Sequence, residues 1–143
     1  MSPAGGGPAP WRIHFFQRHR DDDASTAVPA RDFLDSLPPK IAAEFQAVLD
    51  AVAAAPPPAF SGGGKWEAMH GDMGGIYEVR ISSAGANHRL SCLLVHGSGR
   101  LSGPSIICLG GFKKPPRSAA HRREYLRIRQ YADEFRKHEG VLG

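Results

Sequence analysis

Two arginines and a glutamate stand where strand alternation can gather them. Across residues 76–82 a period of two puts Tyr77, Val79 and Ile81 on one face and Glu78 and Arg80 on the other, open to water. On the following strand Arg89, Ser91, Leu93 and Val95 share a side, and a hairpin register that sets Arg89 beside Arg80 would bring both cations to Glu78. Such a cluster suits a phosphodiester. Guanidinium forks bind non-bridging oxygens in pairs, and a carboxylate held between cations can accept a proton in a transition state. The same residues would equally form a surface ion-pair row, since the water-facing side of a strand is usually charged.

A second set of cations follows the last apolar run. Gly110, Gly111 and Phe112 lead into Lys113, Lys114, two prolines and Arg117, a stretch expected to be a loop whose backbone is fixed while three cations project. Adjacent lysines repel, which a chain tolerates more readily where an anion binds between them, although a solvated basic loop has the same composition. Arg122, Arg123, Arg127 and Arg129 continue the basic surface along a predicted helix, where they would position phosphates or simply face solvent. Lys65 adds a cation beside Trp66, whose ring could stack a base or pack in the core. Tyr125 falls on the apolar stripe of that last helix and is assigned to the core.

The seven histidines show no ligand spacing, and Cys92 and Cys108 sit in separate apolar runs. This pattern predicts two buried reduced thiols and neither metal centre nor cofactor. His70 or His121 could supply a proton near neutral pH. The glycines at 62–64 lack the spacing and the Ser or Thr of a nucleotide-binding P-loop.

Composition and period set the elements that must carry these groups. The chain has 143 residues, 41% hydrophobic and 22% charged, the size and balance of one ordinary globular domain, which excludes wholesale disorder. Residues 1–10 form a Gly/Pro/Ala-rich leader expected to be disordered, and residues 11–140 a single domain. The leader lacks the basic start and apolar stretch of a secretory signal, and no apolar run approaches the roughly 20 residues of a membrane span. A cytoplasmic protein with no membrane partner is therefore expected. Residues 11–17 have strand composition. Pro29 opens a short helix with Phe33, Leu34 and Leu37 inward, and the prolines at 38 and 39 open a longer one whose stripe is Ile41, Phe45, Val48, Leu49 and Val52. Residues 65–70, 76–82, 88–96 and 104–109 predict an antiparallel meander, and residues 118–137 a final helix with Tyr125, Ile128, Ala132 and Phe135 on one face. The sum is an α+β fold in which a helical hairpin packs on one twisted, mainly antiparallel sheet.

The formal charge of +4 is unevenly spread. Residues 1–60 hold 5 basic and 7 acidic side chains, and residues 61–143 hold 13 and 7, so the candidate site lies in the basic half and a polyanionic partner is expected.

The stretch from Lys65 to Ile81 containing Tyr77-x-x-Arg80, the strand around Arg89, the GFKK segment Gly111 to Lys114 and the basic last helix together resemble the RelE/HigB superfamily of toxins, in its phage-derived HigB-like branch. The resemblance covers roughly residues 30 to 137. It implies a small endoribonuclease that enters the ribosomal A site, cuts translated mRNA without a metal, and is neutralised by a cognate antitoxin protein. The ribose 2′-hydroxyl would attack the adjacent phosphate, leaving a cyclic phosphate and a free 5′-hydroxyl. By position, Arg80 and Arg89 resemble the sheet cations on the scissile phosphate. Lys113 and Lys114 resemble those that hold it or the leaving group, with Arg117 a third. Glu78, where some relatives have lysine, would be the general base, and Lys65, Arg122 and Arg123 would contact RNA. No Tyr or His follows the GFKK segment directly, so His121 and Tyr125 are the nearest groups for the second proton transfer. The alternative is a catalytically inactive module of the same fold that binds RNA or a protein. A basic phage-derived DNA-binding protein is a third reading, and no recognition-helix signature accompanies it.

Overall fold

Proline sets both early helix starts. Pro29 and Pro39 occupy first-turn positions, where a missing N–H leaves no bond unmade, and open α1 (Pro29–Asp35) and α2 (Pro39–Ala54). The computed structural model describes residues 10–56, 64–83, 85–97, 99–114 and 121–142. Nearly all of the expected leader, and Arg117, lie outside these residues. Around the two helices the chain forms β1 (Arg12–Phe16), β2 (Trp66–Ala68), a 3-10 turn at Gly71–Met73, β3 (Ile76–Ser83), β4 (Ala86–Val95), β5 (Ser105–Lys114), α3 (His121–His138) and β6 (Val141–Leu142).

The six strands make one sheet in the order β2-β3-β4-β5-β1-β6. β2 to β5 form the expected antiparallel meander. β1 returns alongside β5 in parallel, and the short β6, which the sequence pattern did not reveal, pairs antiparallel with β1. This is the α+β architecture expected, with one addition: both faces of the sheet are covered. On one face α1 and α2 bury Phe45, Leu49 and Val52 against Val79, Ile81, Leu90 and Ile106. On the other, Ile128, Ala132 and Phe135 of α3 pack on Phe16, Ile76, Leu93, Ile107 and Leu109. Apolar area removed from water at about 25 cal/mol per Å2 makes these two layers the main stabilising term.

Cys92 and Cys108 face each other across β4 and β5, both buried and both free, as expected. The hydrogen bond with Cys108, followed by burial, pushes the Cys92 thiol well above its ordinary range, so it stays protonated.

β5 departs from expectation in length and register. It continues through Gly110, Gly111, Phe112, Lys113 and Lys114, so the segment expected as a loop is a strand in all but its last residues. Ser91 pairs with Gly110 while Cys92 pairs with Cys108, which leaves Leu109 as the extra residue of a β-bulge. A one-residue slip exchanges the faces of everything beyond it. Among the described residues no helix is long and apolar enough to cross a membrane.

Candidate functional site

The register of β3 against β4 makes the site. Arg80 pairs directly with Arg89, and Glu78 pairs with Ser91. Two guanidinium groups opposite each other on one face repel, and the small Ser91 leaves room for the Glu78 carboxylate to reach both. Its Oε1 lies 2.9 Å from Arg80 Nε and 3.4 Å from Arg89 Nε. Its Oε2 accepts a 2.7 Å hydrogen bond from the hydroxyl of Tyr125 on α3. The Tyr125 ring stands edge-on to Phe112, at 5.1 Å between centroids, which fixes the direction of the hydroxyl. Burial first, then the bond to Glu78 and its charge, push the Tyr125 phenol far above its ordinary value, so it remains a proton-bearing donor.

Glu78 is therefore not in the open as strand alternation implied. It is 0% exposed, because α3 lies over that face of the sheet and brings Tyr125 down onto it. Its expected placement in the open is corrected accordingly. The two cations it holds reach solvent to different degrees, Arg80 with 38% and Arg89 with 12% of the side chain accessible. Both line an open cleft of about 360 Å3 together with Lys65, Ser82 and Glu44. The Lys65 carbonyl accepts the Arg80 N–H at 2.9 Å, which ties the residue before β2 to the same strand. Among the described residues, Arg80 donates a hydrogen bond to Glu78 and Arg89 forms an ion pair with it, the buried Arg89 Nε having no hydrogen-bond partner.

The bulge in β5 divides the two lysines. Phe112 pairs with Arg89 and Lys114 with Asn87, so Lys114 shares the face of the arginines. Lys113 pairs with His88 and lies on the α1 and α2 face, a correction to the expected convergence of both lysines with Arg89. Burial and then the charge of Lys113 lower the pKa of His88, which is consistent with that placement. Arg122 and Arg123 are exposed on α3. Trp66 is buried and stacked on Tyr77 at 5.0 Å, so of its two readings the core holds. His70 is exposed at the head of the 3-10 turn, and the side chain of His121 is outside what is described.

What the sequence did not reveal is that Tyr125 would bond to Glu78. It lies on the apolar stripe as expected, and its ring packs there, but its hydroxyl ends on a carboxylate. Chemically, the arrangement presents two fixed cations with a third, Lys65, at the rim, and can hold an anion with paired oxygens. No group of three or more His, Cys, Asp and Glu side chains among the described residues is placed to hold a metal ion.

No family model and no curated protein matches the chain. Among solved structures, the toxin-antitoxin complex RelBE2 from Mycobacterium tuberculosis is similar to it, with 15% sequence identity and a TM-score of 0.48 over 73% of this chain and 99% of that one.

Proposed function

We propose that this chain is a toxin of the RelE/HigB kind, an endoribonuclease that cuts mRNA on the ribosome and is held in check by an antitoxin protein. The observation that carries the reading is the direct pairing of Arg80 with Arg89 in one cleft, both anchored from below by a buried carboxylate. The site residues of this reading are Arg80, Arg89 and Lys114 on one sheet face, with Lys65 at the rim and Arg122 and Arg123 toward flanking RNA. The reaction forms a bond from the 2′-oxygen to phosphorus and breaks the bond from phosphorus to the 5′-oxygen. The proton leaves the 2′-hydroxyl and another arrives at the 5′-oxygen. As the phosphorus becomes five-coordinate, its equatorial oxygens gain negative charge, which preorganised guanidinium groups offset without moving.

One observation favours the second reading, a module that binds RNA without cutting it. The carboxylate that touches both arginines is fully buried, and the other carboxylate lining the cleft, Glu44 on α2, makes no ion pair with them among the described residues. Expression in a bacterial host, with primer extension on a translated message, separates the two. A cleaving toxin arrests growth and leaves discrete breaks. Arg80→Ala or Arg89→Ala should each reduce cleavage by about 10² to 10³, the usual cost of losing one preorganised donor. Lys114→Ala should lower cleavage and Lys113→Ala should leave it near wild type. Full growth at high expression with intact message overturns the enzyme reading, and RNA affinity that survives in that case supports the module.

A further inference from the structure

Two positive side chains placed directly opposite each other across β3 and β4 would splay apart unless something fixes them, and whatever fixes them sets the spacing of the anion site. We propose that Glu78 is the positioning residue of the cleft, holding the guanidinium groups of Arg80 and Arg89 at one spacing, and that Tyr125 locks Glu78 from α3. The inference rests on the reading of the cleft as an RNA phosphate site and assigns Glu78 a role other than proton acceptor.

Three features of the geometry carry it. Both oxygens of the carboxylate are committed: Oε1 is shared by the two Nε groups at 2.9 and 3.4 Å, and Oε2 takes the Tyr125 hydroxyl at 2.7 Å. The residue is 0% exposed, so a ribose hydroxyl in the cleft meets the arginines first. Its cross-strand neighbour is Ser91, buried and small, which leaves space beside the carboxylate. The carboxylate takes a hydrogen bond from Arg80 Nε and holds Arg89 by charge alone, Arg89 Nε being buried without a hydrogen-bond partner, so the outer edges of both guanidinium groups remain available to an anion. Tyr125 makes the arrangement rigid in a second direction, since α3 carries its ring against Phe112. The site is thereby built from both layers, with cations on the sheet and their clamp on the helix.

The test compares wild type, Glu78→Gln and Tyr125→Phe. Affinity is measured for a short single-stranded RNA with 2′-O-methyl riboses, which binds without being cut, and cleavage of a translated message is followed against pH. Positioning predicts that Glu78→Gln weakens RNA affinity by about tenfold or more, the loss expected when a hydrogen bond to a charged group goes. Cleavage should fall through KM, with the shape of the pH profile retained. Tyr125→Phe should move both in the same direction by about two- to fivefold, since it loosens Glu78 without removing its charge. Unchanged affinity with a collapsed kcat and a lost acidic limb would make Glu78 a base and overturn the proposal. Where Glu78→Gln fails to fold, proton exchange at the Arg80 Nε–H group, the one that donates a hydrogen bond to Glu78, decides by NMR. Slow exchange in wild type that speeds up in Tyr125→Phe supports the clamp, and fast exchange there in wild type removes it. A wild-type protein that binds no RNA would sink the functional reading alone, because the arginine exchange still reports on the clamp.

Discussion

A single extra proton on one side chain can tilt the balance of a buried polar cluster, and this sheet carries such a side chain on the face opposite the arginines. His88 is buried between Ile81 and Lys113, and burial followed by the charge of Lys113 lowers its pKa from the ordinary 6.5. The folded protein thus binds that proton less readily than the unfolded chain does. Stability from this residue is complete above pH 6.5 and is lost as the pH falls through 6.5 toward the lower folded value. Urea unfolding midpoints should drop between about pH 7.5 and about pH 5, and His88→Gln should flatten that part of the curve. An identical drop in the variant would assign the pH dependence to other groups. Alternation put Arg80 and Arg89 on strand faces that one hairpin register could join, and the register that pairs Val79 with Leu90 is the one that joins them. The same reasoning left Glu78 in water, since nothing in the strand itself says that a helix distant in sequence will cover it.

At the scale of the element, β5 decides which side chains can cooperate. One added residue at Leu109 moves Lys114 onto the face of Arg89 and Lys113 away from it. No local composition marks the bulge, and two glycines after an apolar run have the composition of a turn, so the strand looked finished at Leu109. Packing explains the glycines instead. A Cβ at Gly110 would lie 3.2 to 3.3 Å from Ile128 and Tyr131 of α3, while at Gly111 it would overlap the Phe33 ring of α1 and fall 2.7 Å from the Arg89 carbonyl oxygen. β5 is glycine here because helices press on it from both faces. Gly111→Ala should cost about 1 to 3 kcal/mol in urea unfolding, because ring and backbone must both shift, and Gly110→Ala should cost less, since two side chains can give. Equal and negligible losses would mean that the helices do not approach β5 this closely. The carbonyl concerned belongs to Arg89, so Gly111→Ala should also weaken RNA binding.

Taken whole, the molecule uses its sheet as a partition, with α1 and α2 on one apolar layer and α3 on the other. The two helical stripes and the meander were legible because each obeys one period over several turns or strands. The parallel return of β1 beside β5 was not, since pairing across almost the whole chain leaves no local trace. The partition also shapes the charge. The arginine cleft opens beside β3, while Arg122 and Arg123 are exposed along α3, so under the proposed reading an RNA strand would meet two separate sets of cations. These sets should differ in what they do. Cations that only follow the backbone act through counterion release, and each phosphate contact to a single strand adds about −0.7 to the slope of log K against log salt. Combining Arg122→Ala with Arg123→Ala should therefore flatten that slope by up to about 1.4 and weaken binding uniformly across sequences, with the position of cleavage unchanged. Arg80→Ala should flatten the slope less than it suppresses cleavage, because its main contribution comes only as the transition-state charge develops. A double variant with the wild-type slope would place α3 outside the RNA path and confine the interface to the cleft.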